Sequence, residues 1–236
     1  MNIDVTNENV MGDISILKLP SKGYRELLGK NIPYKIVKRT TDIISATVGI
    51  IALIPITIAI AIAKIILRDK GPIFYTQNRI GKDGKIFKMY KFRSMVVGAD
   101  EILEKYLVEN EDARKEFEVN KKLKDDPRVT KIGKFIRKTS IDEFPQFINI
   151  LKGDMSLVGP RPYIEKERKD MGNYYSYVIR MKPGLTGLWQ VSGRSDVTFK
   201  DRLNLDMVYY NNHTLKVDYK IILKTYQKVL QKEGAV

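Results

Sequence analysis

The sequence contains no cysteine and a single histidine, His213. Structural disulfides, thiolate chemistry and cysteine-based zinc sites are therefore excluded, and so is a histidine-rich metal centre. No Walker-type phosphate loop, no GxGxxG turn and no HExxH helix occurs. Acidic residues are the minority: 28 Asp plus Glu stand against 42 Lys plus Arg, a net charge of +14. That excess suits nucleic acid, an anionic membrane surface or phosphorylated small molecules. The basic segments lack the aromatic interleaving of RNA-binding surfaces, which argues against a nucleic-acid partner. With 43% apolar residues over 236 positions, the chain can bury a core as one domain with an extension, or as two small domains.

One long apolar run is present. Ile43 to Ala63 comprises 21 residues without a charge. At helical rise this spans roughly 30 Å, enough to cross a bilayer core. The run begins too far into the chain to be a secretory signal and lacks a cleavage pattern. Both flanks are basic, with Lys35, Lys38 and Arg39 before it and Lys64, Arg68 and Lys70 after it. Basic flanks favour the cytoplasmic side. Pro55 stands near the middle and removes a backbone donor. Three readings follow: a re-entrant helix with a break at Pro55, a kinked spanning helix, or the buried helix of a soluble body. In the re-entrant case Thr57 or Ser45 could satisfy a freed carbonyl.

The remainder divides by composition into an extension (1–34), the apolar segment with its flanks (35–70) and a body (71–236). IFYTQ reads as a strand, Asp83-Gly84 as a hairpin turn and KIFKMYKF as its partner strand. Residues 98–124 read as one or two solvated helices, and 131–138 as a basic helix. Residues 139–153 read as a helix ended by Gly153. DMSLVGPRPY (154–163) reads as a proline-rich loop, 164–180 as helical and 181–196 as a second, glycine-rich loop. Helices are expected over 197–210 and 219–232. The whole is a mostly helical α/β chain.

Asp142 and Glu143 are adjacent carboxylates between basic and apolar segments. Such a pair can supply a nucleophile toward phosphorus and oxygen ligands for Mg2+. The competing reading is a helix start, with Ser140 to Glu143 as a capping box or Asp142 as a cap. Arg161, held between two prolines, and Arg194, beside glycine, suit phosphate contact. Arg137, Lys91 and Arg93 complete the basic candidates. Trp189 reads as core or membrane interface, His213 as a packing residue, Asp218 as a helix cap, and Gly184 and Gly187 as turn residues.

Several long motifs occur in one order: KRTTDII, GPIFYTQNRIGKDGKIFKMYKFRSM (71–95), TSIDEFPQFINILKGDMSLVGPRP (139–162) and KPGLTGLWQVSGR (182–194). On these the chain resembles the bacterial sugar transferase family, the monotopic phosphoglycosyl transferases, over roughly Lys35 to Lys232. The resemblance implies a re-entrant helix-break-helix anchor and a membrane-interface catalytic body on the cytoplasmic face of the bacterial inner membrane, in contact with phospholipid. The family's break carries a Ser-Pro pair, where this chain has Ile54-Pro55. The implied reaction moves a sugar-1-phosphate, a hexose-1-phosphate by preference, from a UDP-sugar to polyprenyl (undecaprenyl) phosphate and releases UMP. It would start capsule, exopolysaccharide or glycan assembly. Asp142 would be the nucleophile. Glu143 would position Mg2+ or manage a proton, both acids counting as metal ligands. Arg137, Arg161 and Arg194 match basic positions near phosphate. The rival expectation is an inactive membrane-anchored scaffold of polysaccharide assembly. A homodimer through residues 1–34 is a further expectation.

Overall fold

A computed structural model of the chain describes residues 32–121, 123–192 and 197–231. The expected extension lies almost wholly outside the described residues, as does Arg194.

The first helix, α1 (Ile32–Ile66), is 35 residues long and continuous through Pro55. The apolar segment is not divided into two helices. Thr57 Oγ1 donates to the Leu53 carbonyl (2.7 Å) and Ser45 Oγ to that of Thr41 (2.6 Å). Both bonds run one turn back along α1, and neither reaches the Ile51 carbonyl that Pro55 leaves without its helical donor.

One face of α1 lies along the body from end to end. Tyr34 Oη donates to Asp218 Oδ2, and Lys38 Nζ pairs with the same oxygen at 2.8 Å. Arg39 donates to the Ile150 and Leu151 carbonyls (2.8 and 2.9 Å). Asp42, buried, accepts from Ser156 Oγ (3.0 Å) and the Leu157 amide (2.8 Å). Ala46 joins a cluster with Met89, Ile150 and Met155. A Cβ at Gly49 would lie 2.3 Å from the Phe147 ring, so only glycine permits that approach. Leu53 and Ile60 pack with Phe92, Ile132 and Ile136. The seam ends at Lys64, paired with Asp69 at 2.7 Å. The opposite face exposes Val48, Ile51, Ile54, Ile58 and Ile62. Only 22% of the most apolar window is buried, which excludes the core helix of a soluble body.

The hairpin forms as the turn signal predicts. Strands β1 (Phe74–Ile80) and β2 (Ile86–Phe92) pair antiparallel, with Ile80 opposite Ile86 and Tyr75 opposite Lys91. Asp83 and Gly84 both take positive φ (57° and 76°), which suits this dipeptide. Two helices follow, α2 (Ala99–Glu109) and α3 (Glu111–Asn120). Helix α4 (Lys131–Lys138) is capped by Thr130 Oγ1, which accepts from the Gly133 amide.

Residues 139–153 are not one helix. The left-handed φ of Ser140 (55°) sets off a 3-10 turn (Ile141–Glu143) from α4, and the short helix α5 (Gln146–Lys152) starts after Pro145. The two loops expected at 154–163 and 181–196 each hold a strand, β3 (Ser156–Val158) and β4 (Gly184–Thr186), and the two pair in parallel. Gly184 and Gly187 are therefore close-approach residues, not turn residues. A Cβ at Gly184 would lie 2.1 Å from the Gly159 amide nitrogen, and one at Gly187 would lie 2.2 Å from the Gly159 oxygen. Residues 165–178 break into single turns rather than one helix. Helices α6 (Phe199–Asn212) and α7 (Leu215–Gln231) close the body. The fold is mostly helical, with two small sheets.

Candidate active site

Four elements converge on Asp142. The turn that carries it is set by its apolar neighbours. Ile141 and Phe144 pack onto Ile132, Ile136 and Phe92, which leaves Asp142 on the other side of the turn. The capping readings are not realised: Ser140 makes no side-chain cap bond, and α5 starts after Pro145, not at the acids. The pair is therefore not committed to ending a helix.

Strand β2 delivers Lys91. Its Nζ lies 3.0 Å from Glu143 Oε1 and 3.7 Å from Asp142 Oδ2. The height of Lys91 is fixed by Asn149, a fully buried residue of α5. Asn149 accepts from the Tyr90 amide (3.0 Å) and donates to the Lys88 carbonyl (2.8 Å), locking helix to strand. Sequence reasoning missed Asn149, since an amide inside a short helix carries no distinctive pattern.

Arg137 closes the third side. Its Nε donates to Ser94 Oγ at 2.9 Å. Gly133 makes this possible, because a Cβ there would meet the Ser94 carbonyl at 1.9 Å. Burial holds the Arg137 guanidinium below its usual pKa, against the opposing effect of Asp142. Burial also pushes the Asp142 carboxyl above the ordinary carboxylate range. Lys91 pulls it down, Glu143 pushes it up and Arg137 pulls it down.

Arg161 belongs to an adjoining cluster. Its amide donates to Asp206 Oδ2 (3.1 Å), which also accepts from Tyr163 Oη (2.8 Å). Its guanidinium lies 5.0 Å from the Trp189 ring centroid, and that of Arg202 lies 5.9 Å from the same ring. Trp189 thus packs on the core as anticipated and is also a platform for two cations. Arg79 joins the two clusters, feeling both Arg161 and Glu143 electrostatically while donating to the Pro162 carbonyl at 2.9 Å. Burial lowers both Arg79 and Arg202 to about 10, so both stay charged near neutrality. Neither stood out in the sequence, where each is one basic residue among many.

Arg93 is aimed elsewhere. Its guanidinium lies 5.5 Å from the Tyr75 ring, beside Gly71. His213 packs against Tyr34, Tyr209 and Tyr210, as a packing residue should. Asp218 is not a cap. It lies inside α7, buried, and accepts from Tyr34, Lys38 and Tyr209.

Among the described residues no group of three or more acids and histidines gathers to hold a metal. Asp142 and Glu143 offer two hard oxygen donors, with the Lys91 ammonium within 4 Å of both. The two carboxylates are of the kind that hold Mg2+, which commonly takes one or two and completes its shell with substrate phosphates, while Lys91 competes for the same oxygens.

Residues 33–232 match the family model described as bacterial sugar transferase. The chain is 46% identical over 201 residues to an undecaprenyl-phosphate galactose phosphotransferase of Salmonella typhimurium, covering 85% of this chain and 42% of that protein. It is 49% identical over 201 residues to the galactosyl transferase CpsE of Streptococcus agalactiae serotype III, covering 85% and 43%. It is 41% identical over 200 residues to the exopolysaccharide production protein ExoY of Sinorhizobium fredii, covering 85% and 88%. The chain thus spans about two fifths of the first two relatives and most of the third.

Proposed function

We propose a phosphoglycosyl transfer at the membrane surface, from the premise that this chain belongs to the bacterial sugar transferase family. The reaction carries a hexose-1-phosphate from a UDP-sugar to polyprenyl phosphate and releases UMP, as a first membrane step of exopolysaccharide or capsule assembly. The observation that carries it is the buried Asp142 carboxyl with Lys91 at 3.7 Å and Arg137 beside it. A buried carboxyl of raised pKa is a more basic nucleophile, and the two cations keep it ionisable.

In the first step an Asp142 oxygen attacks the sugar-linked phosphorus. The bond from that phosphorus to the bridging oxygen breaks, and UMP leaves with the electron pair. In the second step an oxygen of the lipid phosphate attacks the same phosphorus, the acyl-phosphate bond breaks and the carboxylate returns. Arg137 and Lys91 offset the charge that gathers on the phosphoryl oxygens. Arg79 and Arg161 receive the remaining phosphate charge of the donor, with Arg194 as a further cation. Asp142 and Glu143 would hold Mg2+, which when bound neutralises phosphate charge.

The seam of α1 supports a membrane arrangement with both helix ends on one side. Tyr34, Lys38 and Asp42 at one end are bonded to the body, and Ile60 and Ala63 near the other pack with Phe92, Ile132 and Ile136 of the same body. A helix crossing the bilayer would carry one of these ends to the far side, away from its partners. Residues 35–70 form a monotopic anchor with both ends on one side of the bilayer, a re-entrant course through one leaflet requiring the continuous helix to bend at Pro55 in the membrane, and 71–236 form the cytoplasmic body. Tyr219, Leu223, Tyr226 and Leu230 expose a second apolar stripe at helical spacing on α7. Thr41 and Tyr219 hydroxyls meet at 3.3 Å, so both stripes face phospholipid together.

The chemistry is tested by UMP release from UDP-galactose, the donor suggested by two relatives' names, with polyprenyl phosphate and Mg2+. Asp142→Asn should abolish release, and the wild type given donor alone should carry a phosphosugar on Asp142. Normal turnover by the variant would overturn the nucleophile assignment. The cysteine-free background suits topology labelling: single cysteines before Lys38 and after Arg68 should both react from the cytoplasm. Labelling from opposite faces would overturn the re-entrant anchor.

A further inference from the structure

The parallel pairing of β3 with β4 brings Arg161 and Trp189 together. Val158 lies opposite Thr186, and three residues further along each chain stand Arg161 and Trp189. The register is held past the strands. The Gly159 amide donates to the Thr186 carbonyl (2.9 Å), and Gly187 lies too close to the Gly159 carbonyl for any Cβ. Trp189 sits on the short helical turn Leu188–Val191, whose two end residues are buried in the core and fix the base of the indole.

The backbone and the side chain of Arg161 are held differently. The backbone stands between Pro160 and Pro162, and its amide donates to Asp206. The side chain makes no hydrogen bond or ion pair among the described residues, and its buried Nε is without a partner. The neighbouring guanidiniums are tethered, Arg79 to the Pro162 carbonyl (2.9 Å) and Arg202 to that of Asn120 (2.6 Å). Burial and, after it, the charge of Arg161 lower the pKa of both, so each repels Arg161. The contact that opposes this repulsion is the Trp189 ring, 5.0 Å from the Arg161 guanidinium.

Trp189 carries a sign of a role beyond packing. Its indole N–H is buried and has no acceptor. An unmatched buried donor destabilises a fold, and a phenylalanine would fill a core position without one. What the indole adds is the strongest cation-binding face among the aromatic side chains. The pair is also tied to the carboxylate site, because Arg79, bonded next to Arg161 at Pro162, feels the charge of Glu143.

We propose that Trp189 is a positioning residue for the donor: its ring holds the Arg161 guanidinium ready for the phosphate that leaves as UMP. The proposal rests on the donor role of Arg161 given above and adds the residue that sets its geometry.

The test is calorimetric binding of UMP and of uridine to the full chain in nanodiscs, with melting as the check on folding. Trp189→Leu should weaken UMP about tenfold, equivalent to about 1.4 kcal/mol, the size of a partly desolvated contact between a cation and a ring. Trp189→Phe, with a weaker ring face, should weaken it by a smaller factor. Arg161→Gln should weaken UMP at least as much as Trp189→Leu does, and adding Trp189→Leu to it should change nothing further. Uridine, which has no phosphate, should bind all variants alike. The KM for UDP-galactose should rise with the UMP dissociation constant and that for polyprenyl phosphate should not, whereas a merely structural defect would move both. Unchanged UMP binding in Trp189→Leu overturns the proposal, and so does an undiminished effect of Trp189→Leu beside Arg161→Gln. Equal weakening of uridine and UMP also overturns it and makes Trp189 a platform for the base. If Trp189→Leu does not fold, Trp189→Phe decides by the same cycle: a loss of UMP binding that needs Arg161 supports the proposal, and no loss overturns it. If Arg161→Gln binds UMP as the wild type does, the donor role of Arg161 fails and takes the proposal with it. If only the Trp189 variants leave UMP unaffected, that role stands and the proposal alone falls.

Discussion

Asp206 is fully enclosed and sits between the Arg161 amide and the Tyr163 hydroxyl. Burial pushes its carboxyl from 3.8 to about 7, against the downward pull of those hydrogen bonds and of Arg161 and Arg202. The sign is the reverse of the usual carboxylate case. Between about pH 4 and 7 the folded chain keeps this proton and the unfolded chain has lost it. Stability from this group is therefore full below pH 4 and falls as pH rises through the window. A separation of roughly three pH units at about 1.4 kcal/mol each gives about 4 kcal/mol. Asp206→Asn keeps an oxygen to accept both hydrogen bonds and removes the titration. Denaturant unfolding in detergent, followed by the fluorescence of Trp189, the only tryptophan, reads this region directly. The stability of the variant should gain on the wild type by up to about 4 kcal/mol from pH 4 to pH 7.5. Parallel stability curves across that range would refute the assignment of a buried, protonated Asp206.

Lys91→Met should move the acid limb of UMP release to higher pH, because Lys91 lowers the Asp142 pKa, and Lys91→Arg should bring it back; a pH–rate profile from 5 to 9 checks this. Gly184→Ala drives a Cβ to 2.1 Å from the Gly159 amide, so it should cost roughly 1–3 kcal/mol. It should also slow transfer by displacing the Arg161 loop, as read by melting and by UMP release. Asp42→Ala leaves the Leu157 amide and the Ser156 hydroxyl without their acceptor, which should cost roughly 1–3 kcal/mol per group in unfolding, with Asp42→Asn milder.

The elements legible in the sequence were those with local signals. The Asp83-Gly84 turn announced the hairpin, and the apolar spacing of Ile132, Phe135 and Ile136 announced α4. The parallel pairing of β3 with β4 was not legible, because three-residue strands bounded by glycine and proline have no period to detect. Its meaning lies in three glycine backbones touching, a tertiary fact. The candidate site was legible in its acids, in Lys91 and in Arg137, which converge. Arg79 and Asn149 were hidden because their importance comes from burial and from partners 50 or more residues away. Asp218 was misread as a cap because a carboxylate near a helix start is the commoner case. Its three donors come from α1 and α6, which no local pattern connects.

Helix α1 and the candidate site form one mechanical unit in this arrangement. Asp42 ties α1 to β3, Arg39 ties it to the end of α5, and α5 in turn holds β2 through Asn149. Lys91 rides on β2, and Asp142 immediately precedes α5. On the proposed reading, the depth at which the apolar face of α1 settles in lipid fixes the height of Asp142 above it. The proposed transfer between a soluble donor and a lipid acceptor then requires that height to match the reach of a lipid phosphate. Buried ion pairs add little net stability compared with apolar packing. Their gain here is register: Lys38 with Asp218, and Asp42 with the Ser156 hydroxyl and Leu157 amide, allow α1 no slide of one turn along the body without leaving a buried charge unmatched.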